Sequence, residues 1–167
     1  MFSRLSGKNR QKSEPTTELT VPQCKANLID GTDADISART LGDIAIGRKD
    51  REALLALWEA ICETNHLAAI IDPCAYTVGR IVRETLDPTL EDIGFDIFNR
   101  SVATESEPIV DKFAYTVGEV ALRARKGKTK QRARKFVRDH ALSTDPLVRR
   151  CYIYTEHRIA QRLADEL

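Results

Sequence analysis

The chain has 167 residues, 42% of them apolar and 31% charged, with 26 Lys and Arg against 25 Asp and Glu for a net charge of +1. That length predicts one domain with a real core, and the ordinary balance of apolar and charged residues excludes wholesale disorder or a membrane-embedded bulk. Near-neutrality removes any global attraction to nucleic acid or acidic lipid, so an electrostatic preference for a partner has to be local.

Residues 1–33 are rich in Lys, Arg, Ser, Thr, Gln and Gly, contain Pro15 and Pro22, and show no sustained apolar period. They predict a flexible N-terminal arm, whose Leu19-Thr20-Val21 can pair as a short strand or dock on the first helix. After Asp33 apolar residues recur at helical spacing, and seven helices are predicted over residues 34–167. The first spans 34–46 and ends at Gly47. The second, 49–64, carries Leu54, Leu55, Leu57, Trp58 and Ile61 on its apolar side. A third runs from 67 or 73 to 86 and a fourth from 88 to 102, each with a proline near its start, where the missing N–H is harmless. The last three cover 108–125, 128–142 and 146–166, the final one preceded by the cap candidates Ser143, Thr144 and Asp145.

Cys24, Cys62, Cys74 and Cys151 are scattered, with no C-x-x-C pair, which predicts reduced thiols and a cytoplasmic location. No window holds the ~20 apolar residues a transmembrane helix needs, and the first residues lead into polar sequence, so neither a membrane partner nor export is expected.

The sequence repeats itself. Ala75-Tyr76-Thr77-Val78-Gly79 is identical to Ala114-Tyr115-Thr116-Val117-Gly118, 39 residues later. The frame recurs at Ala38-Arg39-Thr40-Leu41-Gly42 and at Ile153-Tyr154-Thr155-Glu156-His157, the last with His in place of Gly. Thr40, Thr77, Thr116 and Thr155 therefore mark four equivalent points, and Asp35, Asp72 and Asp111 precede the first three at a constant offset, a position that suggests helix capping. A mid-helix Gly costs about 1 kcal/mol relative to Ala, so its recurrence calls for a packing reason, and close approach of successive helices supplies one. Second helices also align: Leu57, Gly94 and Ala133 share one repeat position, as do Ile61, Phe98 and Val137. Such units share one continuous core.

Asp145-Pro146-Leu147-Val148-Arg149-Arg150 and Thr40-Leu41-Gly42-Asp43-Ile44-Ala45 each carry part of the signature of HEAT-type repeats, which the unit resembles over residues 34–166. The resemblance implies an all-α fold, a short right-handed α-solenoid of about three and a half helix pairs, and a scaffold or adaptor. It also implies that the second helices line the inner, gripping face. That the chain is not an enzyme is expected separately, from the lack of catalytic motifs.

Arg123, Arg125, Lys126, Lys128, Lys130, Arg132, Arg134, Lys135 and Arg138 form a dense basic segment with Asp139 as the nearby acid. It is the candidate partner-binding surface. It can clamp an acidic protein through bidentate Arg–carboxylate bonds, contact nucleic-acid phosphates, or stand solvated against the acidic second helices. Phe136 is the one aromatic within it and reads as core, which argues against base stacking. Tyr76 and Tyr115, at equivalent positions, read as packing residues with the hydroxyl at the rim, and Trp58 as core. The last helix, with Ile153, Ile159, Ala160 and Leu163, either caps the stack or offers a face for self-association.

No catalytic motif occurs. Cys62, His66 and Cys74 lie near one another in sequence, but their spacing matches no zinc signature, so no metal or cofactor is expected.

Overall fold

The computed structural model describes residues 18–65 and 67–166. They form eight α-helices and, among the described residues, no strand: α1 Val21–Asp30, α2 Ala34–Arg48, α3 Arg51–Glu63, α4 Ala68–Glu84, α5 Pro88–Val102, α6 Glu107–Arg123, α7 Gly127–Ala141 and α8 Pro146–Asp165.

The first of these overturns the expected arm over 21–30, while 1–17 lie outside the described residues. Thr20 and Gln23 make a capping box in which the Thr20 side chain accepts from the Gln23 N–H and the Gln23 side chain accepts from the Thr20 N–H. Pro22 occupies the first turn, where its lack of an N–H costs nothing, and Gly31, at φ 71°, closes the helix in the left-handed conformation that favours glycine. Cys24 and Leu28, one turn apart, are fully buried against the neighbouring helices.

Elsewhere local chemistry sets the ends. Asp50, Asp87 and Asp145 each cap a helix, Asp87 accepting from the Thr89 and Leu90 N–H groups at 2.8 and 3.1 Å and Asp145 from Leu147 and Val148 at 2.8 and 3.1 Å. In Asp87-Pro88 and Asp145-Pro146 the proline is the first helical residue. Pro73, by contrast, lies inside α4, which begins at Ala68. Asp72 and Asp111 are not caps. Each is the fifth residue of its helix, where the local N–H groups already serve carbonyls one turn back, and Asp72 instead pairs with Lys112 at 3.1 Å.

α2, α4, α6 and α8 pack each on the next, and more extensively than the alternate helices α3, α5 and α7 pack on one another; α1 lies against both α2 and α3. The repeated glycines are the cause. A Cβ added at Gly42 would lie 2.7 Å from Thr77 Cγ2, one at Gly118 would lie 2.8 Å from Thr155 Cγ2, and one at Gly79 would fall still deeper into Thr116 Cγ2. Each glycine thus receives the threonine methyl of the following even-numbered helix. α3, α5 and α7 are held apart by bulkier groups. Trp58, Phe95, Phe98 and Phe136 form an aromatic chain that continues through Phe113 of α6 and Tyr152 of α8, with ring centroids 5.4–6.3 Å apart. Buried apolar residues from all eight helices form one cluster.

Candidate functional site

The basic segment covers the end of α6, the following loop and most of α7. Thr129, Ala133, Val137 and Ala141, four residues apart, are the buried stripe of α7, which leaves the intervening basic side chains outside. The fold brings acids to several of them that sequence proximity does not. Lys126 pairs with Glu91 of α5 at 2.8 Å, and Arg132 with Asp92 at 2.6 Å while its guanidinium lies 4.1 Å from the centre of the Phe95 ring. Arg123 pairs with Glu119 and Lys135 with Asp139. Arg134 donates from Nε to the Ala121 carbonyl at 3.3 Å. Among the described residues, Arg125, Lys128, Lys130, Arg134 and Arg138 have no carboxylate within ion-pair distance. The segment is therefore about half neutralised, and five cations stay uncompensated.

A second surface lies on the even-numbered helices. The residue before each marker threonine is Arg39, Tyr76, Tyr115 or Tyr154, and all four are exposed. Tyr76 is 63% exposed, Tyr115 50% and Tyr154 70%, so the tyrosines do not pack into the core as their repeat position suggested. They form a row, one per helix, because the marker threonines Thr77, Thr116 and Thr155 take the buried side, joined in α4 and α6 by Gly79 and Gly118.

Three residues after each threonine the charges alternate: Asp43, Arg80, Glu119, Arg158. Arg80 of α4 reaches back over Gly42 to the Asp43 carboxylate at 2.7 Å and the Arg39 carbonyl at 3.2 Å. Arg158 of α8 repeats the move over Gly118, bonding Glu119 at 3.2 Å and the Tyr115 carbonyl at 2.8 Å, with its guanidinium 3.8 Å from the centre of the Tyr115 ring. Between α4 and α6 the corresponding residue is Glu119, which turns to Arg158 and Arg123, and the three atoms nearest a Cβ position on Gly79 all belong to Thr116. A groove of about 240 Å³ runs here between Tyr76 and Tyr115 down to Gly79, with Arg83 and Arg123 toward one end and the Asp72–Lys112 pair toward the other.

The thiols do not form a reactive centre. Cys24 and Cys74 are fully buried and Cys151 nearly so, whereas Cys62 is exposed. Burial raises the thiols of Cys24, Cys74 and Cys151 above their ordinary value, Cys74 to about 12, which suppresses their nucleophilic thiolates. Cys62 and Cys74, two members of the imagined metal trio, thus sit in different environments, and His66 lies outside the described residues. His140 is stacked on Phe136 at 4.2 Å and bonded through Nδ1 to the Phe136 carbonyl, a core-edge role. No described helix is long and apolar enough to cross a membrane. On α8, Ile153 is exposed alongside Tyr154.

No family model matches the chain, and neither does any curated protein or solved structure.

Proposed function

We propose that the chain is a short HEAT-like α-solenoid acting as a non-catalytic interaction module, an adaptor that grips another macromolecule through the inner face of its stack. The observation that carries this reading is the row of exposed tyrosines, Tyr76, Tyr115 and Tyr154, one in each of the last three repeats. Exposed aromatic surface flanked by arginine is the composition that dominates binding energy at protein interfaces. In this reading the inner face belongs to the even-numbered helices, because the closer-packed series of a curved stack lies on its concave side. That reverses the assignment that the resemblance implies.

The test is a pull-down with the full chain, with nuclease treatment in parallel, comparing the native protein with a Tyr76→Ala, Tyr115→Ala, Tyr154→Ala variant. A nuclease-resistant partner held by the native chain and lost from the variant supports the reading; equal retention by both overturns it.

A nucleic-acid-binding role has one specific observation in its favour, the uncompensated cations Arg125, Lys128, Lys130, Arg134 and Arg138 around α7. Each phosphate they neutralise would release counterions, so affinity would fall steeply with salt. Retention on DNA with such a slope, abolished by neutralising Lys128, Lys130, Arg132 and Arg134 together, would favour this second role.

A further inference from the structure

We infer that the groove between α4 and α6 is a docking site for an acidic, extended segment of a partner protein, which seats a side chain over Gly79 between Tyr76 and Tyr115 and sets a carboxylate against Arg83 and Arg123. The inference rests on the adaptor reading and deepens it by naming the chemistry of the partner.

The argument begins with the two sibling interfaces. Arg80 covers Gly42 and Arg158 covers Gly118, so each of those junctions is filled by a guanidinium from its own chain. In the middle junction the reversed charge order puts Glu119 where an arginine would be, and the groove there reaches its glycine, as the grooves of the two sibling junctions do not. The vacated place does not suit another guanidinium. Arg80, Arg83, Lys112 and Arg123 line it against two carboxylates, Asp72 and Glu119. Glu119 is already shared by Arg123 and Arg158, Asp72 is paired with Lys112 and Arg80 with Asp43 outside the groove lining, while Arg83 has no carboxylate partner among the described residues. The unmet charge is positive, and it sits toward the end of the groove away from Asp72.

Size and shape favour a peptide. From Asp72 to Arg83 the groove follows a helix stretch of about 16 Å, the length of roughly five extended residues. Planar Arg forks match carboxylates, and tyrosine walls supply rigid contact area. A nucleic-acid strand fits less well, because exposed Asp35, Asp72 and Asp111 flank the tyrosine row and would repel a continuous run of phosphates.

The experiment uses the full chain and fluorescence anisotropy with a fluorescein-labelled peptide, Glu-Glu-Glu-Phe-Glu-Glu, beside a fifteen-nucleotide oligothymidylate and a Lys-for-Glu peptide. Saturable binding of the acidic peptide is expected, weakened at least tenfold in Arg83→Ala/Arg123→Ala and in Tyr76→Ala/Tyr115→Ala. The Lys peptide should not bind, and neutralising Lys128, Lys130, Arg134 and Arg138 should change little. Arg83→Ala alone, at a residue without an ion pair, guards against loss of fold, and thermal melts are compared throughout. Absence of peptide binding at millimolar concentration, binding indifferent to the groove variants, or tighter binding of oligothymidylate at the same residues would each overturn the inference. If the tyrosine variant drops a captured partner while the arginine variant keeps it, the adaptor reading stands and the carboxylate docking fails; if neither variant drops it, both fail.

Discussion

The methyl group of Thr116 occupies the space that a Cβ on Gly79 would need, which sets how closely α4 approaches α6. At its siblings Gly42 and Gly118 part of the crowding comes from the movable tip of an arginine, whereas the three atoms nearest an added Cβ on Gly79 all belong to Thr116. Replacing Gly79 by Ala gains about 1 kcal/mol of helix propensity but forces a backbone shift at a packed contact, a cost of about 1–3 kcal/mol. Gly79→Ala should therefore destabilise in urea melts, and Gly79→Ala/Thr116→Ala should recover most of the loss. A double variant no more stable than the sum of the single changes would remove the steric account.

Arg158 ties the terminal helix to the stack. Its side chain is 18% exposed and bonds both Glu119 and the Tyr115 carbonyl. Hydrogen bonds to charged groups are worth about 1.5–3 kcal/mol, so Arg158→Ala should lower stability by an amount of that order and speed amide exchange selectively in α8. Lysine cannot span both acceptors with a planar fork while stacking on Tyr115, so Arg158→Lys should rescue little. Uniform acceleration of exchange through all helices would show that Arg158 holds no particular junction.

The repeat and most helix limits were legible because they rest on local signals: Asp87-Pro88 and Asp145-Pro146 open α5 and α8 at the expected residues, and Leu57, Ile61, Phe98, Ala133 and Val137 are all buried. α1 is not legible because it is short and sparsely apolar, and its strongest mark is the Thr20–Gln23 capping box, which has Pro22, a helix-breaking residue type, inside it. Equivalence of Tyr76 and Tyr115 was legible, but their exposure was not. It depends on which helix face turns to the core, and that is decided by the Gly79–Thr116 contact across elements. Likewise the pairing of Lys126 and Arg132 with Glu91 and Asp92 joins residues far apart in sequence. The alternation of Asp43, Arg80, Glu119 and Arg158 was present in the repeat alignment as a readable signal for the groove.

Thiol chemistry should separate the four cysteines. At pH 8 a disulfide reagent such as dithionitrobenzoate should modify Cys62 first in the native protein, leaving Cys24, Cys74 and Cys151 protected until unfolding. Cys74, raised to about 12 when folded from an ordinary value of 9.0, stays protonated in the native state while the unfolded chain ionises. Its contribution is complete below pH 9 and is lost as pH rises toward 12, so stability should decline over that interval, and less in Cys74→Ala relative to its own neutral value. Rapid labelling of four thiols in folded protein would contradict the burial.

Asp87 provides the acid-side counterpart. The Leu90 N–H bonded to its carboxylate lowers its pKa below the ordinary 3.8; partial burial opposes this, while the Thr89 N–H and the charges of Lys49 and Arg51 add to it. Because the folded value is the lower one, the carboxylate contributes stability that is present in full above the unfolded value and is lost as pH falls through the folded one. Asn at this position caps a helix about as well but carries no charge to titrate or to attract Lys49 and Arg51. Native protein should therefore exceed Asp87→Asn in urea midpoint by a constant margin from pH 7 to 5. The margin should shrink as pH drops below 4, with the two proteins converging in stronger acid. A margin that persists unchanged below pH 3, or one that grows on acidification, would mean that the carboxylate charge at the start of α5 is not what holds this helix end.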